Sequence, residues 1–196
     1  MPFNEQIYLQ EDSRQQLNKH DLKNEYFLEQ GIKILRSKLP FGDYMIMNRP
    51  NLVVDTKKDA LELFSNLTKD HIRFRNEIQN ANSFGIGIVI LIEETDYYAS
   101  LEVFKKWYIV PLWKSDGWKN IGGKKYKTHS KGEPMTKVDV SAIVKAMETM
   151  QKKYAVLFKF TTKERCGEDI IKILYTRYNE YNNYFQNKIK ELNNAK

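Results

Sequence analysis

Gly42-Asp43-Tyr44, followed by Val53-Val54-Asp55-Thr56-Lys57, places an acidic residue a short way ahead of an Asp-x-Lys that ends an apolar run. Between them, Asn48-Arg49-Pro50-Asn51 has turn composition, so 43–47 and 52–57 are predicted as two strands around it. Side chains alternate along a strand, so Asp55 and Lys57 share a face about 7 Å apart. Setting Asp43 directly opposite Asp55 requires pairing centred on Arg49, and hence an odd-length loop or a bulge. Two carboxylates and an ammonium then meet at one spot. Hard oxygen ligands suit Mg²⁺ or Mn²⁺, and a nearby lysine suits a scissile phosphate. The pattern is that of a metal-dependent phosphodiesterase.

Outward from this pair, Ile7–Gln10 reads as a short strand, and 17–30 as a helix closed by Gly31. Ile32, Ile34 and Leu35 mark a strand reaching Leu39-Pro40. Asp59 with Glu62 three residues on resembles a capping box opening a helix. After a break at Thr68-Lys69-Asp70, Phe74, Ile78 and Ala81 share one face of a second helix. Ile88-Val89-Ile90-Leu91-Ile92 is too apolar for a half-exposed strand and belongs at the buried centre of a sheet. A helix over 140–153, a strand over 156–160 and one long helix from Gly167 to about Leu192 complete the order. The fold class is α/β, a mixed central sheet flanked by helices in a single domain over 1–196.

The bulk composition agrees. At 196 residues with 41% hydrophobic side chains, a packed core is expected. No apolar run approaches the ~20 residues of a membrane span, and the start lacks a signal-peptide pattern. The single cysteine, Cys166, excludes an internal disulfide and fits a reducing, cytoplasmic setting. A net charge of +7 favours an anionic partner such as nucleic acid. His20, His71 and His129 are too scattered for a zinc site.

The segment at about 105–139 interrupts the pattern as a long insertion. It holds nine lysines against Asp116, Glu133 and Asp139, with Trp107, Tyr108, Trp113, Trp118 and Tyr126 interleaved. Lysines track phosphates and aromatic rings stack unpaired bases, so Lys124, Lys125, Lys127 and Trp118 are candidate DNA contacts. The alternative is a solvated loop pinned by its aromatics. The stripe Ile170, Ile171, Leu174, Tyr178, Tyr181, Phe185 reads as core packing, or at its Tyr-rich end as a homodimer face.

With these blocks in place, the order Asp12-Ser13-Arg14, Gly42-Asp43-Tyr44, Asp55-Thr56-Lys57, Arg73-Phe74, Leu91-Ile92-Glu93 resembles the XPF-type nuclease domain of the PD-(D/E)XK superfamily. The resemblance implies a restriction-endonuclease-like fold and Mg²⁺- or Mn²⁺-dependent cutting of branched, flap or junction DNA. It implies that Asp43 matches the acid of the family's Gly-Asp-Tyr, and that Asp55 and Lys57 take the Glu and Lys of its Glu-Arg-Lys. Asp12 and Arg14 match its Asp-x-Arg-Glu. Gln15 stands where the family has Glu, Thr56 where it has Arg, and Leu61 where it has a later Asp. The family's paired helix-hairpin-helix module has no room in this chain.

Asp12 is either part of a metal shell or a cap for the following helix. Glu77 is either the i+4 ion-pair partner of Arg73 or the helix-borne carboxylate that the superfamily often carries near here. A catalytically inactive nucleic-acid-binding module on a nuclease fold is the alternative function, favoured by Gln15 and Leu61.

Overall fold

A computed structural model describes residues 5–15, 21–94, 108–121, 124–138 and 141–194, with the backbone pairing alone for 108–121 and 124–138. Strands β1 (Tyr8–Asp12), β2 (Lys33–Ser37), β3 (Tyr44–Ile46), β4 (Arg49–Lys57), β5 (Gly87–Glu93) and β8 (Val156–Thr161) form one mixed sheet in the order β2-β1-β3-β4-β5-β8. β3 runs antiparallel to both β1 and β4, whereas β1–β2, β4–β5 and β5–β8 are parallel pairs. Strands β6 (Tyr108–Ile121) and β7 (Lys124–Val138) pair only with each other, as an antiparallel ribbon.

Among the described residues, six α-helices cover the sheet. On one face, α2 (Ala60–Thr68), α3 (His71–Ser83) and α4 (Ser141–Lys153) lay Leu63, Phe74, Ile78 and Met147 over Val53, Ile88, Ile90, Ile92 and Phe158. On the other, α1 (Asp21–Glu29), α5 (Cys166–Ile171) and α6 (Tyr178–Asn194) lay Phe27, Ile170 and Phe185 over Leu9, Tyr44, Val54, Val89 and Leu91. β5 is buried along its whole length, as its unbroken apolar run predicts, because helices cover both of its faces.

Local signals set the helix ends. Gly31 closes α1 at φ +68°, with Ile32 N–H donating to Phe27 O at 2.9 Å and Gly31 N–H to Leu28 O at 3.0 Å. That is the double C-terminal bond a left-handed glycine permits. Asp59 caps α2, its Oδ1 accepting from Glu62 N–H at 2.8 Å, while Glu62 Oε2 accepts from Lys58 N–H at 3.0 Å. Glu94 adds an acceptor for Ala60 N–H at 2.7 Å, so the start of α2 is pinned to the end of β5.

Two expectations are corrected. β4 starts at Arg49, inside the predicted turn, because a register shift between Met45 and Ile46 lets the chain turn at 47–48. The predicted helix from Gly167 to about Leu192 is broken: a π turn at Lys172–Thr176, closed by Arg177 N–H on Lys172 O at 2.8 Å, separates α5 from α6. This break lets Ile170, Leu174, Tyr181 and Phe185 all reach the core despite a change of helical phase. The backbone of the expected insertion is a strand ribbon, in which two runs of 14 and 15 residues pair across 122–123. Residues 17–20 of the first predicted helix lie outside the described residues. Among the described residues, no helix is long and apolar enough to cross a membrane.

Candidate active site

Strand alternation carries β4 from its core into a cleft. Val53 points to the α2/α3 layer, so Asp55 and Lys57, at even offsets from it, continue that face to the strand's C-terminal end. Tyr44 pairs with Val54 and Met45 with Val53, a register centred on Arg49, as direct opposition of Asp43 and Asp55 requires. The bulge supplies the necessary shift. Asp43 then joins three strands through its backbone: its N–H donates to Val54 O and its C=O accepts from Asp12 N–H, both at 2.8 Å. Gly42 makes this approach possible. At φ +64° it sits where a Cβ would lie 3.0 Å from Val54 O.

These residues line a cleft of about 560 Å³ that contains every site residue expected from the main body of the sequence: Asp12, Arg14, Asp43, Asp55, Lys57 and Glu77. Lys124, Lys125, Lys127 and Trp118 occupy the last rungs of the ribbon before 122–123, with Trp118 paired to Lys127 and Ile121 to Lys124. Their side chains lie outside the described residues.

Each acidic group is held differently. Asp43 Oδ2 accepts from Thr56 N–H and Thr56 Oγ1–H, both at 2.7 Å, and Asp43 has no ion pair among the described residues. Thr56 is the functional residue that sequence reading missed. The sequence shows it only as a departure from the family's Arg, whereas in the fold it fixes the Asp43 carboxylate across the strands. Both Asp55 oxygens accept from Lys57 Nζ, at 2.9 and 2.7 Å. Burial pushes the Asp55 carboxyl up to about 7, against the pull of Lys57 and with repulsion from Asp43 and Glu77 added. Lys57 is buried too, which disfavours its charge. The Asp55 contact outweighs this, so its pKa lies above the ordinary lysine value and it stays an ammonium at neutral pH. Its Nζ also sits 5.7 Å from the centre of the Phe74 ring.

Asp12 is engaged by Arg14. Its Oδ1 accepts from Arg14 N–H at 3.0 Å, and its Oδ2 accepts from Nε at 2.7 Å and also from Nη2. Burial works against ionisation of Asp12, but these bonds and the guanidinium charge hold its carboxyl below the ordinary value. The i to i+2 bond to Arg14 makes Asp12 the cap of a local turn, not of a helix among the described residues. Glu77 forms no ion pair with Arg73 among the described residues. Its charge is instead felt across the cleft by Arg14 and Asp55.

The donor chemistry fits a divalent cation. Five carboxylates, Asp12, Asp43, Asp55, Glu62 and Glu77, meet four cations, Arg14, Lys57, Lys58 and Arg73, in the lining of a cleft on a chain of net charge +7. Left so, the cleft repels phosphate at its floor, and one divalent ion reverses that sign. Among the described residues, no group of three or more His, Cys, Asp or Glu could hold a metal unaided. Mg²⁺ needs no such cage, since one or two carboxylates with waters and substrate oxygens complete its octahedron. Asp43 and Asp55 are the two carboxylates placed to serve so.

No family model matches the chain, and no curated protein matches it. Nine chains of solved structures do, two of them as follows. XPF from Aeropyrum pernix aligns with a TM-score of 0.55 at 14% identity, covering 86% of this chain and 60% of that one. XPF from Aeropyrum pernix in complex with DNA aligns with a TM-score of 0.55 at 10% identity, covering 89% of this chain and 66% of that one. The chain thus spans under two thirds of the length of the XPF chains it matches. Its mixed six-stranded sheet and helical layers are an XPF-like nuclease fold of the restriction-endonuclease-like class.

Proposed function

We propose that the chain is a Mg²⁺- or Mn²⁺-dependent endonuclease acting on branched, flap or single-strand/duplex junction DNA. The observation that carries this reading is the placing of Asp43, bonded to β4 through Val54 O, and Asp55 in one cleft, with Lys57 bonded to Asp55. Burial, with repulsion from Asp43 added, lifts the Asp55 carboxyl there to about 7. Perturbation by burial and a like charge inside a cleft is what a cation site produces before its cation binds.

Asp43 and Asp55 would hold the metal, which supplies an activated water and charge neutralisation on the phosphate. Thr56 fixes the Asp43 carboxylate. Lys57, being an ammonium, does not serve as a base; it donates hydrogen bonds to the attacking water or to a phosphate oxygen as charge builds up. Asp12 orients Arg14, whose side chain is 58% exposed while its Nη2 also donates to Leu39 O at 2.9 Å. A guanidinium held so is suited to a backbone phosphate. DNA as the polymer is supported by the chain's positive charge and by the DNA-bound XPF neighbour. Lys124, Lys125, Lys127 and Trp118 at the end of the ribbon extend the contact. That no base-reading helix or zinc module is evident among the described residues favours selection for unpaired structure.

Labelled flap, fork, Holliday junction and linear duplex incubated with Mg²⁺, Mn²⁺ or EDTA test the reading. Metal-dependent cutting of the branched DNAs ahead of linear duplex is expected. Efficient cutting of linear duplex at one fixed sequence, or no cutting of any DNA with either metal, would overturn it. The inactive binding module is the second reading, favoured by the engagement of both Asp55 oxygens by Lys57. Tight binding of junctions without cutting is its signature.

A further inference from the structure

A stripe of α3 continues the cleft outward. At about 100° per residue, Arg73, Asn76, Asn80 and the C-cap Phe84 fall in one sector of α3, roughly a third of a turn from the buried Phe74, Ile78 and Ala81, and Lys69, at the end of α2, flanks its start. Arg73 lines both the candidate active site and a groove shared with Lys69, Asn76 and Asn80. Neither Lys69 nor Arg73 has a side-chain hydrogen bond or ion pair among the described residues. Arg14, Arg36 and Arg49, by contrast, are each spent on a carboxylate.

The stripe ends on Phe84, 75% exposed at the end of α3. Its ring lies 5.9 Å from that of Phe41, the residue directly before Gly42-Asp43. One side of the ring is steadied and the rest is open to solvent. From Arg73 to Phe84 the helix rises about 16 Å, enough for a few nucleotides of an extended strand.

We propose that this stripe carries an unpaired nucleic-acid strand leaving the cleft. Lys69 and Arg73 hold its phosphates, Asn76 and Asn80 bond base edges, and Phe84, backed by Phe41, stacks a base. The inference rests on the nuclease reading and deepens it by assigning the single-stranded arm of the substrate to a surface. Asp70 and Glu77 share the groove, so its net charge is near zero and stacking supplies much of the grip. A second copy of this chain is the competing occupant of Phe84.

The test is anisotropy in EDTA, which separates binding from cutting, on a tailed duplex and the blunt duplex of the same sequence. Phe84→Ala should bind the tailed DNA roughly 5- to 100-fold more weakly and the blunt DNA unchanged. Phe84→Trp should restore tailed binding. Lys69→Ala with Arg73→Ala should lower the log–log salt slope on the tailed DNA by about 1.4. Equal losses on both DNAs, an unchanged slope, or a Phe84→Ala protein that differs only by becoming monomeric in light scattering would each overturn the proposal. If the wild-type chain binds neither DNA, this inference and the nuclease reading fall together. If it binds and cuts while the variants match it, only this inference falls.

Discussion

At the C-terminal end of the parallel strands, the two faces of the sheet handle buried charge in opposite ways. On the α1/α5 face, Lys23 is ion-paired with Glu93, and Cys166 Sγ lies 3.6 Å from the same carboxylate. Arg36 meets Glu11 at 3.0 Å, Tyr44 Oη donates to Glu11 at 3.2 Å, and Thr161 Oγ1 donates to Asp169 at 2.6 Å. Every acid there has a cation or a hydroxyl committed to it. The Cys166 thiol is pushed up by burial and is inert. On the α2/α3 face, one residue away along the strands, Asp55 is paired with Lys57 and its carboxyl is raised to about 7, first by burial and then by repulsion from Asp43. Asp43 beside it has no ion pair among the described residues and is held by Thr56. One face pairs its acids and is closed; the other leaves Asp43 without a cation at a cleft, and the proposed metal site rests on that contrast.

The largest expected effect breaks the open face. Asp55→Asn should abolish cleavage, by about 10³-fold or more, because a metal ligand and its charge are lost while the strand keeps its shape. Undiminished nicking by the purified variant would remove Asp55 from the metal site. On the closed face the same kind of change should act on stability instead. Lys23→Met leaves Glu93 buried without its cation and should cost about 3–5 kcal/mol in urea unfolding, with cleavage per folded molecule retained. A Lys23→Met protein that is stable but inactive would show that the two faces do not divide the labour as described.

Thr56→Val sharpens the picture by removing one of the two bonds to Asp43 Oδ2 and keeping the backbone one. A loss of about 10- to 100-fold in Mg²⁺ affinity or cleavage is expected, with little change in melting temperature. Titration calorimetry with Mg²⁺ distinguishes this from a purely structural role.

The smallest effect is in pH. Asp55 is raised to about 7, mainly by burial. Because its folded value exceeds the unfolded one, its contribution to stability is present in acid and lost as pH rises through about 7. A bound cation offsets that loss. Mg²⁺ affinity should therefore rise about 10-fold between pH 6 and pH 8 and level off above, with proton uptake by buffer on binding near pH 6. A flat profile would place the cation elsewhere.

Much of this was legible in the chain, and the rest was not, for one reason. The face shared by Asp55 and Lys57, the buried stripe of α3, the fully covered β5 and the cap at Asp59 follow from alternation, helical period and side-chain hydrogen bonding within a few residues. The sequence by itself determined these, together with the requirement that Asp43 oppose Asp55 only through a bulge or an odd loop. Tertiary structure alone decided where that bulge falls, that β1 lies beside β3 so that Asp12 meets Asp43, and that Thr56 rather than an Arg secures the acid. It also decided the Lys23–Glu93 pair, 70 residues apart, the π turn after Ile171 and the pairing of the ribbon. These are contacts between distant segments, whose energies depend on strand order and burial. No local pattern encodes the dielectric that lifts Asp55, because that arises only when α2, α3 and the sheet close over it.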